Sequence, residues 1–102
     1  MASPRREVVE GVQHQGEDEI IAYTLDTSNI GTPSSPVVVV KDGAGVDVTS
    51  TVMPTNSPTV SGDVITLSPL KLLTADDRYR VEVRYVVAGN TLENYFIVEA
   101  RE

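Results

Sequence analysis

LLTADDRYRVEVRY, residues 72–85, opens on a short polar corner and then alternates. Tyr79, Val81 and Val83 fall on one side of an extended chain, and Arg80, Glu82 and Arg84 on the other. A repeat of two is the mark of a strand with one buried face. Leu92 to Ala100 alternates in the same way, after the break Ala88-Gly89-Asn90-Thr91. With Gly89-Asn90 at the tip of a two-residue turn, where positive φ is needed, the two runs form a hairpin. That tip faces Val83 with Phe96, Val81 with Val98 and Val87 with Leu92. On the other side it faces Arg80 with Glu99, Glu82 with Ile97 and Arg84 with Tyr95. Apolar residues meet apolar ones, and a slip by one residue would mix the sets.

The corner TADDR, Thr74 to Arg78, carries the chain from one sheet to another. Leu73 closes the core before it, and Tyr79 takes the first inward position after it. The tyrosine ring fills the end of the core while its hydroxyl reaches a backbone group in the corner. The spacing of Leu73, Tyr79, Val81 and Val83 resembles the E–F corner and F strand of fibronectin type III and related immunoglobulin-like domains. The preceding VITLSPL resembles their E strand. The resemblance spans roughly Pro36 to Glu99 and implies an all-β, antiparallel sandwich of about seven strands. No tryptophan is present for the early core strand, so Tyr23 takes that place.

The rest of the chain suits an all-β domain. Prolines and glycines separate short β-prone runs. Residues 1–16 read as an N-terminal arm, with Glu7 to Gln13 a weak strand at most, and 17–102 as the sandwich. In Glu19 to Asp26, Ile21, Tyr23 and Leu25 share one face. Pro36 opens the run VVVVK, which turns one valine pair inward and one outward. Asp42-Gly43-Ala44-Gly45 is a hairpin turn returning the chain into DVTSTVM. Thr59 to Leu67 reads as one strand with a bulge or kink at Gly62-Asp63.

At 102 residues the chain buries roughly two thirds of its unfolded surface, enough for a core without covalent staples. It has no cysteine, which removes disulfides, thiolate metal sites and a cysteine nucleophile. A net charge of -7 disfavours nucleic acid and anionic membrane as partners, since both need a positive field. No apolar run reaches the ~20 residues of a membrane helix, and the start of the chain has no secretory pattern.

Catalytic chemistry finds little footing. His14, the single histidine, sits in a polar stretch without a G-x-S-x-G motif and reads as exposed. Asp42 and Asp47 are too sparse for a calcium loop and read as turn residues, as do Asp76 and Asp77. Glu17, Asp18 and Glu19 are consecutive and read as a solvated segment. The expectation is a protein without cofactor, metal site or enzymatic activity.

Protein contact is better supplied. The outward face of the hairpin carries Tyr95 and Ile97 beside Arg84, Arg80 and Glu99, an aromatic and an aliphatic in a polar ring. Arg5, Arg6, Val8 and Val9 in the arm are the other candidates. The stretches REVVEGVQ, DEIIAYTL, DVTSTVM, SGDVITL, LTADDRYRVEVRY and YFIVEARE resemble a loose group of short, cysteine-free, immunoglobulin-like proteins encoded among the head and tail genes of tailed bacteriophages. That resemblance implies a virion protein, made in the host cytoplasm: a capsid decoration or cement subunit, or part of the head–tail connection. Its partners would be capsid or connector subunits and copies of itself. The other reading is a binding module that meets a host-surface protein or glycan through Asn29 to Ser35 and Pro54 to Pro58.

Overall fold

The two alternating runs become the longest strands of the protein, β7 (Arg78–Val87) and β8 (Asn90–Arg101). The structure, a computed structural model, describes residues 12–28 and 30–102, and the backbone of 5–7. Before the hairpin come β1 (Arg5–Glu7), β2 (Gln13–Gly16), β3 (Thr24–Asp26) and β4 (Ser34–Lys41). A helical turn α1 (Thr49–Val52) and the short strands β5 (Thr59–Ser61) and β6 (Val64–Thr66) complete the set. One sheet runs β1-β8-β7-β4, with β2 also on β8, and a second runs β3-β6-β5. β4, β7 and β8 pair antiparallel, whereas β1 and β2 lie parallel to β8.

The sheets share one core. Val38, Val40, Val81, Val83, Phe96 and Val98 come from the larger sheet and Leu25 and Ile65 from the smaller. Each such side chain contributes about 1.5–3 kcal/mol by leaving water. Tyr23 packs on this core as expected, its ring 5.3 Å from that of Phe96 and tilted by 51°. Ile20, Ala22 and Thr24, which alternate with Ile21, Tyr23 and Leu25, are exposed.

Several boundaries differ from the sequence reading, each for a local reason. The tip of the β7–β8 hairpin is Ala88-Gly89, not Gly89-Asn90, because both take positive φ (50° and 82°) and Asn90 pairs with Val87. The register therefore moves by two: Val81 faces Phe96, Tyr79 faces Val98 and Arg78, not Arg80, faces Glu99. A shift of two keeps every side chain on its face, so the inside and outside assignments survive the wrong tip.

DVTSTVM does not return as a strand. After a single bridge from Lys41 to Asp47 it winds into α1. The Asp47 carboxylate accepts the Thr49 N–H at 3.0 Å and its hydroxyl at 2.6 Å, while Val52 and Met53 drop into the core. Thr59 to Leu67 is not one kinked strand but a tight hairpin. Gly62, at φ 58°, and Asp63 form its tip, so Ser61 faces Val64. β4 starts at Ser34, with a register shift before Val37 and Ser35 at φ 52°.

Candidate partner-binding face

The outward side of β4, β7 and β8 collects the candidate residues. The β7–β8 register sets Tyr95 beside Glu82, Ile97 beside Arg80 and Glu93 beside Arg84. Across the other ladder Val39 lies beside Glu82 and Lys41 beside Arg80. Tyr95 and Ile97 are half-buried and Arg84 is exposed. Val37, the outward valine nearest the start of β4, is 44 % exposed.

Glu82 holds this face together, which the alternation alone did not reveal. It points away from the core, yet it is only 6 % exposed. A buried carboxylate needs compensating charge. Arg80 supplies it through Nε, 2.9 Å from Oε2, and Lys41 approaches Oε1 at 3.9 Å. The same guanidinium carbon lies 5.4 Å from the centroid of the Tyr95 ring, within the range of a cation–π contact. Glu82, Arg80 and Tyr95 thus form a fixed unit, with little side-chain freedom left to lose in any contact made there.

A cleft of about 280 Å³ opens beside that unit, lined by Lys41, Arg78, Arg80, Tyr79, Ile97 and the Asp42–Gly45 turn. Arg78 is engaged with Glu99 at 3.3 Å. The turn itself is internally closed, since Asp42 Oδ1 accepts the N–H groups of Ala44 and Val46 at 2.9 and 3.0 Å.

The other sequence candidates lie elsewhere. Arg5 and Arg6 belong to β1, opposite Glu93 and Asn94 along the far edge of β8. Val8 and Val9 lie outside the described residues. His14 is exposed on β2, its Nδ1 3.9 Å from Glu99 Oε1. Glu17 and Asp18 are exposed, and Glu19 turns back so that its Oε1 accepts the Gly16 N–H. Asp76 adopts φ 69° in the corner, where Asp76 N–H donates to Ala100 O at 3.0 Å and Asp77 O accepts the Ala100 N–H at 2.9 Å. Leu73 and Tyr79 are buried there, at 4 % and 3 % exposure. The 54–58 loop is tied along β4, Asn56 Nδ2 donating to Val38 O at 2.9 Å.

A buried polar network also escaped the sequence reading. Gln15 is 1 % exposed. Its Nε2 donates to Glu19 O at 2.9 Å and Leu70 O at 2.7 Å, and its Oε1 accepts the Tyr23 hydroxyl at 2.9 Å. Burial, aided by the negative charge of Glu19, raises the Tyr23 pKa above the usual phenol value, so the hydroxyl stays a donor at neutral pH. The amide clasps β2 to the start of β3 and the 67–70 segment.

No known family model matches the chain, and no curated protein matches it.

Proposed function

We propose that this protein is a non-enzymatic structural component of a tailed-phage virion, a capsid decoration or cement subunit or a piece of the head–tail connection. It works as a rigid block that contacts other virion proteins. We read the two sheets as an immunoglobulin-like sandwich of the fibronectin type III kind, a reading supported by the placement of Tyr79 at the crossing between sheets. The observation that carries the role is the outward face of β7 and β8. There Tyr95 and Ile97 sit half-buried beside an Arg80 already fixed by Glu82. Aromatic residues and arginine are the side chains that dominate the centres of protein interfaces. A lattice of many copies multiplies a modest contact of this kind through avidity. The test is fractionation of purified particles. Presence of the protein in the particle peak at a fixed ratio to the capsid protein is expected, and its loss from washed particles would remove the role.

A further inference from the structure

The outer face of the larger sheet and the rest of the chain carry opposite charge. The outward positions of β4, β7 and β8, all among the described residues, hold five cations: Lys41, Arg78, Arg80, Arg84 and Arg101. The same positions hold three carboxylates, those of Glu82, Glu93 and Glu99. The face is therefore +2 in a chain of net charge -7, which leaves -9 for the remainder.

Strand alternation and register create this surplus. Alternation turns Arg78, Arg80 and Arg84 to one side of β7, and the β4 ladder sets Lys41 directly opposite Arg80. Like charges opposed across a ladder are unfavourable, and the carboxylates on the face are shared between them. Glu82 serves both Arg80, at 2.9 Å, and Lys41, at 3.9 Å. Glu99 serves both Arg78 and Arg101, each at 3.3 Å. The cleft lined by Lys41, Arg78 and Arg80 lies where both shared sets meet. Asp42 and Asp77 beside it are turned to backbone N–H groups, of Ala44 and Val46 and of Arg78.

We propose that this face docks on an acidic patch of a protein partner, one of whose carboxylates enters the cleft between Lys41, Arg78 and Arg80. This deepens the reading that the face contacts other virion proteins, and rests on it for the partner's origin. Each arginine meets its own carboxylate through Nε. The terminal nitrogens carry the other four N–H donors of a guanidinium, and a partner's carboxylate meets those as a fork. Ile97 in the cleft wall and Tyr95 under Arg80 supply the apolar contact beside the charge. The acidic remainder of the chain repels the same partner, so approach is steered to the outer face. Nucleic acid fits this face less well. Duplex DNA presents charge without break, about every 1.7 Å, whereas Glu82 stands between Arg80 and Arg84 and interrupts the cations along β7.

Titration of the full-length chain with a deca-glutamate peptide, followed by NMR at low and high sodium chloride, tests it. Saturable shifts are expected at the Nε–H groups of Arg78, Arg80 and Arg84 and at the Ile97 amide, with affinity falling as salt rises. Lys41→Gln combined with Arg84→Gln should weaken binding by about tenfold or more. Lys71→Glu makes the same change in net charge away from this face, beside Ile20 and Pro54, and should leave binding unaltered. Thermal unfolding checks that both variants fold. Equal losses in the two variants, shifts spread over the whole chain, or no saturable binding overturn the proposal. An oligothymidylate strand of matching length that binds the face as tightly overturns it in favour of nucleic acid. Self-association of the chain through the same residues overturns it in favour of a second copy. Particle fractionation reads the virion role separately, so either idea can fail without the other.

Discussion

The backbone N–H of Thr74 donates to the hydroxyl of Tyr79 across 2.8 Å, pinning the corner to the first inward side chain of β7. The ring is 3 % exposed, so water cannot readily replace the phenol as the acceptor. Tyr79→Phe should therefore lower stability by about 1–2 kcal/mol, the cost of losing this part-buried hydrogen bond. For a domain of this size that is a fall in Tm of roughly 4–8 °C per kcal/mol. Denaturant titration should show a lower midpoint at unchanged slope. An unchanged midpoint would mean that the corner holds without its hydrogen bond.

Gln15 and Tyr23 form the second such lock, and their coupling is measurable. Gln15→Ala strands Glu19 O and the Tyr23 hydroxyl together, so a loss of about 1–3 kcal/mol is expected. Tyr23→Phe alone should cost less, since it leaves the two amide donor bonds of Gln15 in place. The double variant should lose less than the sum of the two, because the bond between them can be lost only once. Strict additivity would show that the 2.9 Å contact contributes nothing.

These two locks were unequally legible in the sequence. The tyrosine corner could be read because Leu73 and Tyr79 stand at a fixed spacing beside an alternating strand. Gln15 could not, because a polar residue in a polar segment carries no periodic signal, and its burial follows from β2 lying parallel along β8 with Gln15 opposite Ala100. Glu82 was placed on the correct face, but its burial depends on Arg80 and Lys41 closing over it, a tertiary arrangement invisible to alternation. Asn94 breaks the inward pattern of β8 for a similar reason, accepting the hydroxyl of fully buried Tyr85 at 2.9 Å. Strand faces were legible in β4, β7 and β8, where apolar and polar residues alternate. The Asp42–Gly45 turn was legible too, whereas the β7–β8 tip was not, because Ala88 takes a conformation that residue preferences assign to Asn or Gly.

The paired substitution Tyr95→Ala with Ile97→Ala tests the outward face. Neither side chain belongs to the core cluster, so the variant should fold, with Tm within a few degrees of the parent. On the virion role proposed above, incorporation into particles should fall by at least tenfold, the effect of losing about 1.4 kcal/mol of contact energy. Normal incorporation would move the docking surface off β7 and β8.

Acid should loosen α1 through Asp47. Hydrogen bonds from the Thr49 hydroxyl and N–H hold its carboxyl below the ordinary carboxylate pKa. A group depressed in the folded state binds its proton more readily when unfolded. The stability it contributes is thus complete above the unfolded pKa and is lost as pH falls through the folded one. Asp47→Asn should therefore lower Tm at neutral pH and flatten the decline of Tm on the acid side. At strongly acid pH, where both forms are neutral, the parent and variant curves should converge. A constant gap at every pH would assign the effect to shape rather than charge.

Ala88 offers a change in the stabilising direction. It sits at φ 50° beside Gly89 at φ 82°, the paired left-handed geometry of a type I′ tip. For a residue with a Cβ that conformation costs roughly 1–2 kcal/mol, and the native chain carries the cost at an exposed position where the side chain packs against nothing in the core. Asparagine tolerates the left-handed region and is the preferred first residue of such turns. Ala88→Asn should raise stability by about 0.5–1 kcal/mol without moving the register, because Val87 would still face Asn90. A loss of stability instead would show that the tip lies at Gly89-Asn90, with every cross-strand pair displaced by two.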